Sequence, residues 1–234
     1  MKLASLEGGR EGRLFVVSDD MGWCVSAAEI APTLRAALAD WARCEPLLKG
    51  VAVFLNRGAQ RYRRFEPSAC VAARGELEAP GGLLDMRRSA AVLTGPLSQG
   101  AGRAEAAAAV RLVLLQAASA AGVAESPVAV TPESLGEAWR DGRLRGEPTL
   151  ELDGALMAGA PLALDFAGAI VEAAKTAALP AGAKISLGDA KAARLSIPDD
   201  GALLRYELRD RLSRSTFGAV ELRARVAATV KEVA

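Results

Sequence analysis

Histidine is missing from all 234 residues. Without an imidazole the commonest general base at neutral pH is gone, and no Ser-His-Asp system can be assembled around Ser18, Ser26 or Ser134. Aromatic residues are scarce, 4% of the chain against 51% for apolar types of every kind. Much of that apolar content is alanine, so each residue has little apolar area to bury. The 3 cysteines, Cys24, Cys44 and Cys70, are odd in number and far apart. They form neither a disulfide framework nor a Cys-x-x-Cys pair, and a reducing cytoplasm suits them. Neither charge sign prevails: 29 Lys and Arg face 28 Asp and Glu, a net charge of +1. No global field is present to recruit nucleic acid or an anionic membrane. Long apolar runs are absent too, since the richest stretch, Ala104 to Gly122, is broken by Glu105, Arg111 and Gln116, which excludes an uninterrupted membrane span. The opening Met1-Lys2-Leu3-Ala4-Ser5-Leu6-Glu7 is a short apolar alternation followed by charge, so no signal peptide is expected.

What is there reads as two units. Leu3 to Leu6 and Arg13 to Ser18 are β-like runs joined by a glycine-containing turn from Glu7 to Gly12. A helix is expected next, capped by Ser26, with Ile30, Leu34, Ala37, Leu38 and Trp41 on one stripe and Pro46 at its end. Asn56 to Gly82 is polar and basic and reads as an exposed connection. Beyond it, Ala90 to Thr94 is a buried strand stopped by Gly95-Pro96, and Ala104 to Ala121 is a helix entry running into β-rich Leu112 to Leu115. Pro127 to Thr131 is a further strand, and Thr131-Pro132 opens a short helix with Thr as cap and Pro at its first position. Asp153-Gly154 turns a hairpin, Leu164 to Ala178 is an amphipathic helix, and Leu203 to Leu208 alternates as a strand. Trp23, Trp41 and Trp139 are expected to pack in cores.

Several of these segments, in chain order, resemble the fumarylacetoacetate hydrolase family: Met1 to Leu6 with its glycine turn, Gly82 to Asp85 with Ala90 to Gly95, Ser126 to Gly136, Leu164 to Phe166, Ala174 to Thr176, Pro180 to Gly182 and Arg214 to Gly218. The resemblance implies an α+β fold: a small N-terminal α/β unit over residues 1–65, a linker over 66–82, and a β-rich C-terminal domain over 83–234 with active-site segments deleted. It also implies a magnesium- or manganese-type ion that polarises an oxo-acid or diketone oxygen and that needs carboxylate ligands. Where the family has its Glu-x-Glu pair, this chain has Arg87 and Ser89; where a third carboxylate should follow the next strand, it has Gln116-Ala117-Ala118-Ser119. The segment bearing a substrate-facing lysine is skipped, and Ser186-Leu187-Gly188-Asp189 replaces a Gly-Ser-Gly-Thr loop.

Arg87, Arg88 and Asp189 are therefore the candidate ligand-binding residues, with a guanidinium holding a small carboxylate directly through paired hydrogen bonds. No catalytic residue and no metal ligand is assigned, and no cofactor is expected. A rebuilt carboxylate cluster from Asp85, Asp165 and Asp189 is set against the local roles that turns and helix starts give to Asp. Arg61-Tyr62-Arg63-Arg64-Phe65 mixes basic and aromatic residues but reads as a solvated connector, so neither nucleic acid nor membrane is an expected partner. The functional expectation is a non-catalytic cytoplasmic protein of this family, partnered by itself or by an active relative. The alternatives are an active hydrolase, decarboxylase or hydratase on a short 2-oxo acid or diketone, and a metal-free protein that binds small anions.

Overall fold

A computed structural model describes residues 1–6, 11–58, 63–71, 75–157, 161–190, 192–211 and 213–226. The expected turn from Glu7 to Gly12 and the Arg61-Tyr62 pair fall partly or wholly outside them. The opening strands β1 (Lys2–Leu6) and β2 (Arg13–Val17) pair antiparallel, and β3 (Trp23–Ser26) continues the sheet. Ser26 ends that strand and caps nothing helical. The helices begin later, at α1 (Leu34–Ala39), where the Thr33 hydroxyl accepts from the Ala36 amide, and α2 (Trp41–Asn56) follows directly. Pro46 lies inside α2 and does not end it. Its exposed ring sits only one turn into the helix, where few intrahelical bonds have yet formed.

The segment expected as a bare connection holds β4 (Arg63–Arg64) and β5 (Gly75–Ala79). Arg64 covers the exposed Trp23 ring, 4.1 Å from its centroid, so Trp23 does not pack in a core. Next come β6 (Leu83–Thr94), α3 (Arg103–Ala109), β7 (Val110–Ser119), β8 (Gly122–Glu125) and β9 (Ala129–Val130). A 3-10 turn spans Pro132–Ala138. Short strands β10 (Trp139–Arg140), β11 (Arg143–Gly146), β12 (Thr149–Leu152), β13 (Ala155–Met157) and β14 (Leu162–Asp165) lead to α4 (Phe166–Ala174). The chain finishes with β15 (Lys184–Gly188), β16 (Ala193–Ser196), β17 (Ala202–Glu207) and β18 (Val220–Val226).

The long sheet runs β15-β6-β7-β9-β1-β2-β3-β4, with β8 added to β7 and β16 to β6. A second sheet, β13-β12-β17-β18-β5, has one parallel pair, β18 with β5. The third is β10-β11-β14. Alternation along β6 divides the interior in two. Leu84, Met86, Ala90 and Val92 join Phe166, Tyr206, Phe217 and Leu222 in the core beneath the second sheet. Ala91 and Leu93, with Leu112 and Leu114 of β7, face the other way, into a core completed by Leu3, Leu14, Trp41 and Leu48. This mixed, mostly β architecture is the expected α+β fold, and the two faces of β6 decide what its polar residues meet.

Candidate functional site

The middle of β6 is the position to build from. Register pairs Arg87 with Ala118 and Ser89 with Gln116 across β7, Gly188 with Ser89 across β15, and Gln116 with Glu125 across β8. Residues directly opposite in a sheet share a face. Arg87, Ser89, Gln116, Ala118, Glu125 and Lys184 therefore lie on one face of adjacent strands. Arg87 is exposed, and its aliphatic stem crosses Gly188, where a Cβ would stand 2.8 Å from its Cδ. Ser89 and Gln116 are buried; the Ser89 hydroxyl donates to the Gln116 carbonyl at 3.0 Å, and the Gln116 amide donates to Glu125 Oε1 at 2.6 Å. The Lys184 ammonium reaches the same Glu125 oxygen from β15.

Arg88 points to the opposite face. Only 13% of its side chain is exposed, and it forms an ion pair with Asp189, whose amide also donates to the Arg88 carbonyl at 2.9 Å. Tyr206 is buried in the same core, its hydroxyl without a hydrogen-bond partner among the described residues. Burial is the main cause holding the Tyr206 phenol protonated far into alkali. Of the three candidate residues, then, Arg88 and Asp189 meet each other, while Arg87 stands across the strand from both. An anion reaching Arg88 has to displace the carboxylate already there.

The other aspartates do not converge. Asp85 takes two hydrogen bonds from Arg194, at 2.8 and 2.9 Å, which hold its carboxyl below the usual range. Asp165 caps α4 through the Gly168 amide and pairs with Arg103, which depresses its pKa in the same way. A hard divalent ion requires several anionic or carbonyl oxygens around one point. On this face of β6 Glu125 is taken up by an ammonium and an amide and Asp85 by Arg194, and the Arg87 guanidinium stands nearby. No group of three His, Cys, Asp or Glu able to hold a metal occurs among the described residues. The residues at this position do not fit a magnesium- or manganese-type ion.

Glu125 and Lys184 join this face without being singled out by the sequence pattern. A hairpin from Gln116 to Glu125 about the turn before Gly122 was the available signal for the first. Nothing local marks Lys184, which arrives through the pairing of β15 with β6, opposite Leu93, 91 residues earlier in the chain. A cavity of about 860 Å³ lies elsewhere, against the outer face of β5, β17 and β18 between Met21, Pro67 and Gly218. It contains none of Arg87, Ser89, Gln116 or Ala118, and Glu207 within it is neutralised by Arg205 and Arg209. For chemistry of the expected kind, the register on β6 is the better guide.

Residues 1–73 match the family model described as fumarylacetoacetase N-terminal domain 2. Among solved structures, the chain is similar to maleylpyruvate hydrolase from Sphingobium sp. SYK-6, with 14% identity, TM-score 0.68, and 97% of this chain and 100% of that chain covered. The same enzyme in complex with manganese(II) ion and pyruvate gives 16% identity and a TM-score of 0.63 over 97% of this chain and 100% of that one. Fumarylacetoacetate hydrolase from the psychrophilic Exiguobacterium antarcticum gives 12% identity, TM-score 0.63, with 97% and 100% covered. No curated protein matches the sequence significantly.

Proposed function

We propose, for a chain whose residues 1–73 match the fumarylacetoacetase N-terminal domain model and 97% of which is similar in fold to solved structures of fumarylacetoacetate hydrolase type, a protein that keeps this scaffold without its metal-dependent catalysis. The observation that carries the reading is the Lys184 ammonium on Glu125, beside Ser89 and Arg87. A fixed positive charge stands on the same sheet face as the positions that the resemblance gives to metal ligands, and the nearby polar groups satisfy one another. Maleylpyruvate hydrolase with manganese and pyruvate bound illustrates the chemistry of the fold. Loss of a Lewis acid removes several kcal/mol of transition-state stabilisation. That corresponds to a rate factor of roughly a thousand or more.

On this reading the protein acts through association, with a second copy of itself or with an active relative as partner, and requires no cofactor. A cytoplasmic location suits three buried free cysteines. No helix among the described residues is long and apolar enough to cross a membrane.

The test combines metal binding with turnover. Oxaloacetate decarboxylation and acylpyruvate hydrolysis are assayed with and without magnesium, and melting temperature is followed against manganese. The expected result is no metal-dependent turnover and no saturable rise in melting temperature for the natural chain. An Arg87→Glu, Ser89→Glu, Ala118→Asp variant is the positive control, and it gains a manganese-dependent rise. Metal-dependent turnover by the natural chain overturns the proposal and makes the protein a working hydrolase or decarboxylase.

A further inference from the structure

Lys2 is a buried charge with little to compensate it. It sits on β1 with only 7% of its surface exposed. Its ammonium donates to the Ser215 carbonyl at 2.9 Å and forms no salt bridge among the described residues. An ammonium carries three N–H donors, so one bond to a neutral oxygen leaves most of its capacity unused. Holding such a charge out of water without an opposite charge costs stability. Burial depresses the Lys2 pKa, and Asp19 is the strongest of the charges opposing that shift.

The position is separate from the one on β6. Register connects Lys2 to Val130, Val130 to Val113, and Val113 to Val92. Val92 shares a face of β6 with Leu84 and Met86, the opposite face from Arg87 and Ser89. The Lys2 side chain thus enters the molecule from the other side of the long sheet. There it lines a cleft of about 260 Å³ between the N-terminal strand, the Pro132–Ala138 turn and the stretches Leu208 to Asp210 and Arg214 to Thr216.

The remaining lining groups favour an anion. Arg214 is satisfied by Asp210 at 2.8 Å and Arg209 by Glu207 at 3.0 Å. Arg145, exposed on β11, makes no ion pair among the described residues. Once the internal pairs are set aside, Lys2 and Arg145 stand against Asp19 among the described lining residues, with Asp20 a weaker influence from outside the cleft. Ser134, Ser215 and Thr216 complete the wall. We infer that this cleft binds a small oxyanion, of the phosphate or carboxylate type, with Lys2 as its buried anchor and Arg145 as a second cation at the mouth. An oxyanion there supplies the opposite charge that Lys2 lacks.

The test uses the full chain and two probes, inorganic phosphate and malonate, each against sodium chloride at matched ionic strength. The expected result is a saturable rise in melting temperature with at least one probe beyond the chloride control; whichever probe binds more tightly identifies the headgroup. Lys2→Met is expected to abolish that rise and to melt no lower than the natural chain in anion-free buffer, since an uncompensated buried charge has been removed. Arg145→Gln changes an exposed side chain, so it keeps the fold, and it is expected to weaken the apparent affinity roughly tenfold, the scale of one charge-assisted hydrogen bond. Absence of a saturable effect with both probes overturns the inference, as does unchanged affinity in Arg145→Gln together with Lys2→Met.

Discussion

Glu125 accepts from both the Gln116 amide and the Lys184 ammonium, so a neighbourhood that needs positive charge receives it from the chain itself. The same residue-scale logic governs Cys70. Its thiol lies in the core with Leu6, Cys24 and Phe65. Burial, with a smaller contribution from Cys24, pushes its pKa up to about 12 from the ordinary thiol value of 9.0. The folded state therefore holds a proton that the unfolded chain gives up. The associated stability is complete below about pH 9 and is lost as pH rises toward the folded value, at about 1.4 kcal/mol per pH unit in that window. Unfolding free energies from urea titrations at about pH 8 and about pH 10.5 are expected to differ by about 2 kcal/mol more in the natural chain than in Cys70→Ala. An equal alkaline loss in both proteins would mean that this thiol is not the group responsible.

At the scale of elements, the legible parts were those whose signal is local. The Asp153-Gly154 turn carries positive φ at both residues, 48° and 80°, as a tight hairpin between β12 and β13 requires. The change from α3 to β7 at Val110 follows from an alanine run giving way to Leu112-Val113-Leu114-Leu115. The order of Arg87, Ser89 and Ala118 was legible through resemblance, and their shared face follows from strand register. β5 was not legible, because Glu76 and Glu78 alternate with Leu77 and Ala79 in a short, polar run whose pairing partner, β18, comes from the far end of the chain. Asp189 was placed by a loop motif, yet its partner Arg88 is set by β15 pairing with β6.

Pro46 misled for a related reason: a proline signals a helix end only when neighbouring contacts do not hold the helix together. Here Trp41, Cys44, Leu48, Ala52 and Leu55 bury one stripe of α2 against the N-terminal sheet, and that packing carries the helix through the missing N–H. Because the Pro46 ring is exposed, replacing it loses no core contact. Pro46→Ala restores a helical donor and improves propensity, partly offset by a more flexible unfolded chain. A net gain of about 1–2 kcal/mol in urea unfolding is expected. A loss of stability would show that the ring itself supports the turn between α1 and α2.

Across the whole molecule, the N-terminal unit shares a sheet with the rest of the chain. β1 pairs with β9 through Lys2 with Val130 and Leu3 with Ala129, and Thr131 donates its amide to the Met1 carbonyl at 3.1 Å. The core beneath α1 and α2 is likewise joint property: Leu3, Leu14 and Trp41 from the N-terminal side pack with Ala91, Leu93, Leu112 and Leu114 from β6 and β7. Separating the two sides exposes apolar faces of both, which favours one cooperative transition over two. Trp23 and Trp41 report on the N-terminal side, and Trp139, stacked on Phe166 with centroids 6.0 Å apart, reports on the other. Tryptophan fluorescence from Trp139 alone, in a Trp23→Phe, Trp41→Phe variant, is therefore expected to change at the same urea concentration as far-UV circular dichroism. A fragment starting at residue 66 should lack a cooperative transition, because Ala91, Leu93, Leu112 and Leu114 lose their cover. Two resolved transitions, or a fragment that unfolds cooperatively by itself, would show that the shared sheet contributes less than the two separate cores.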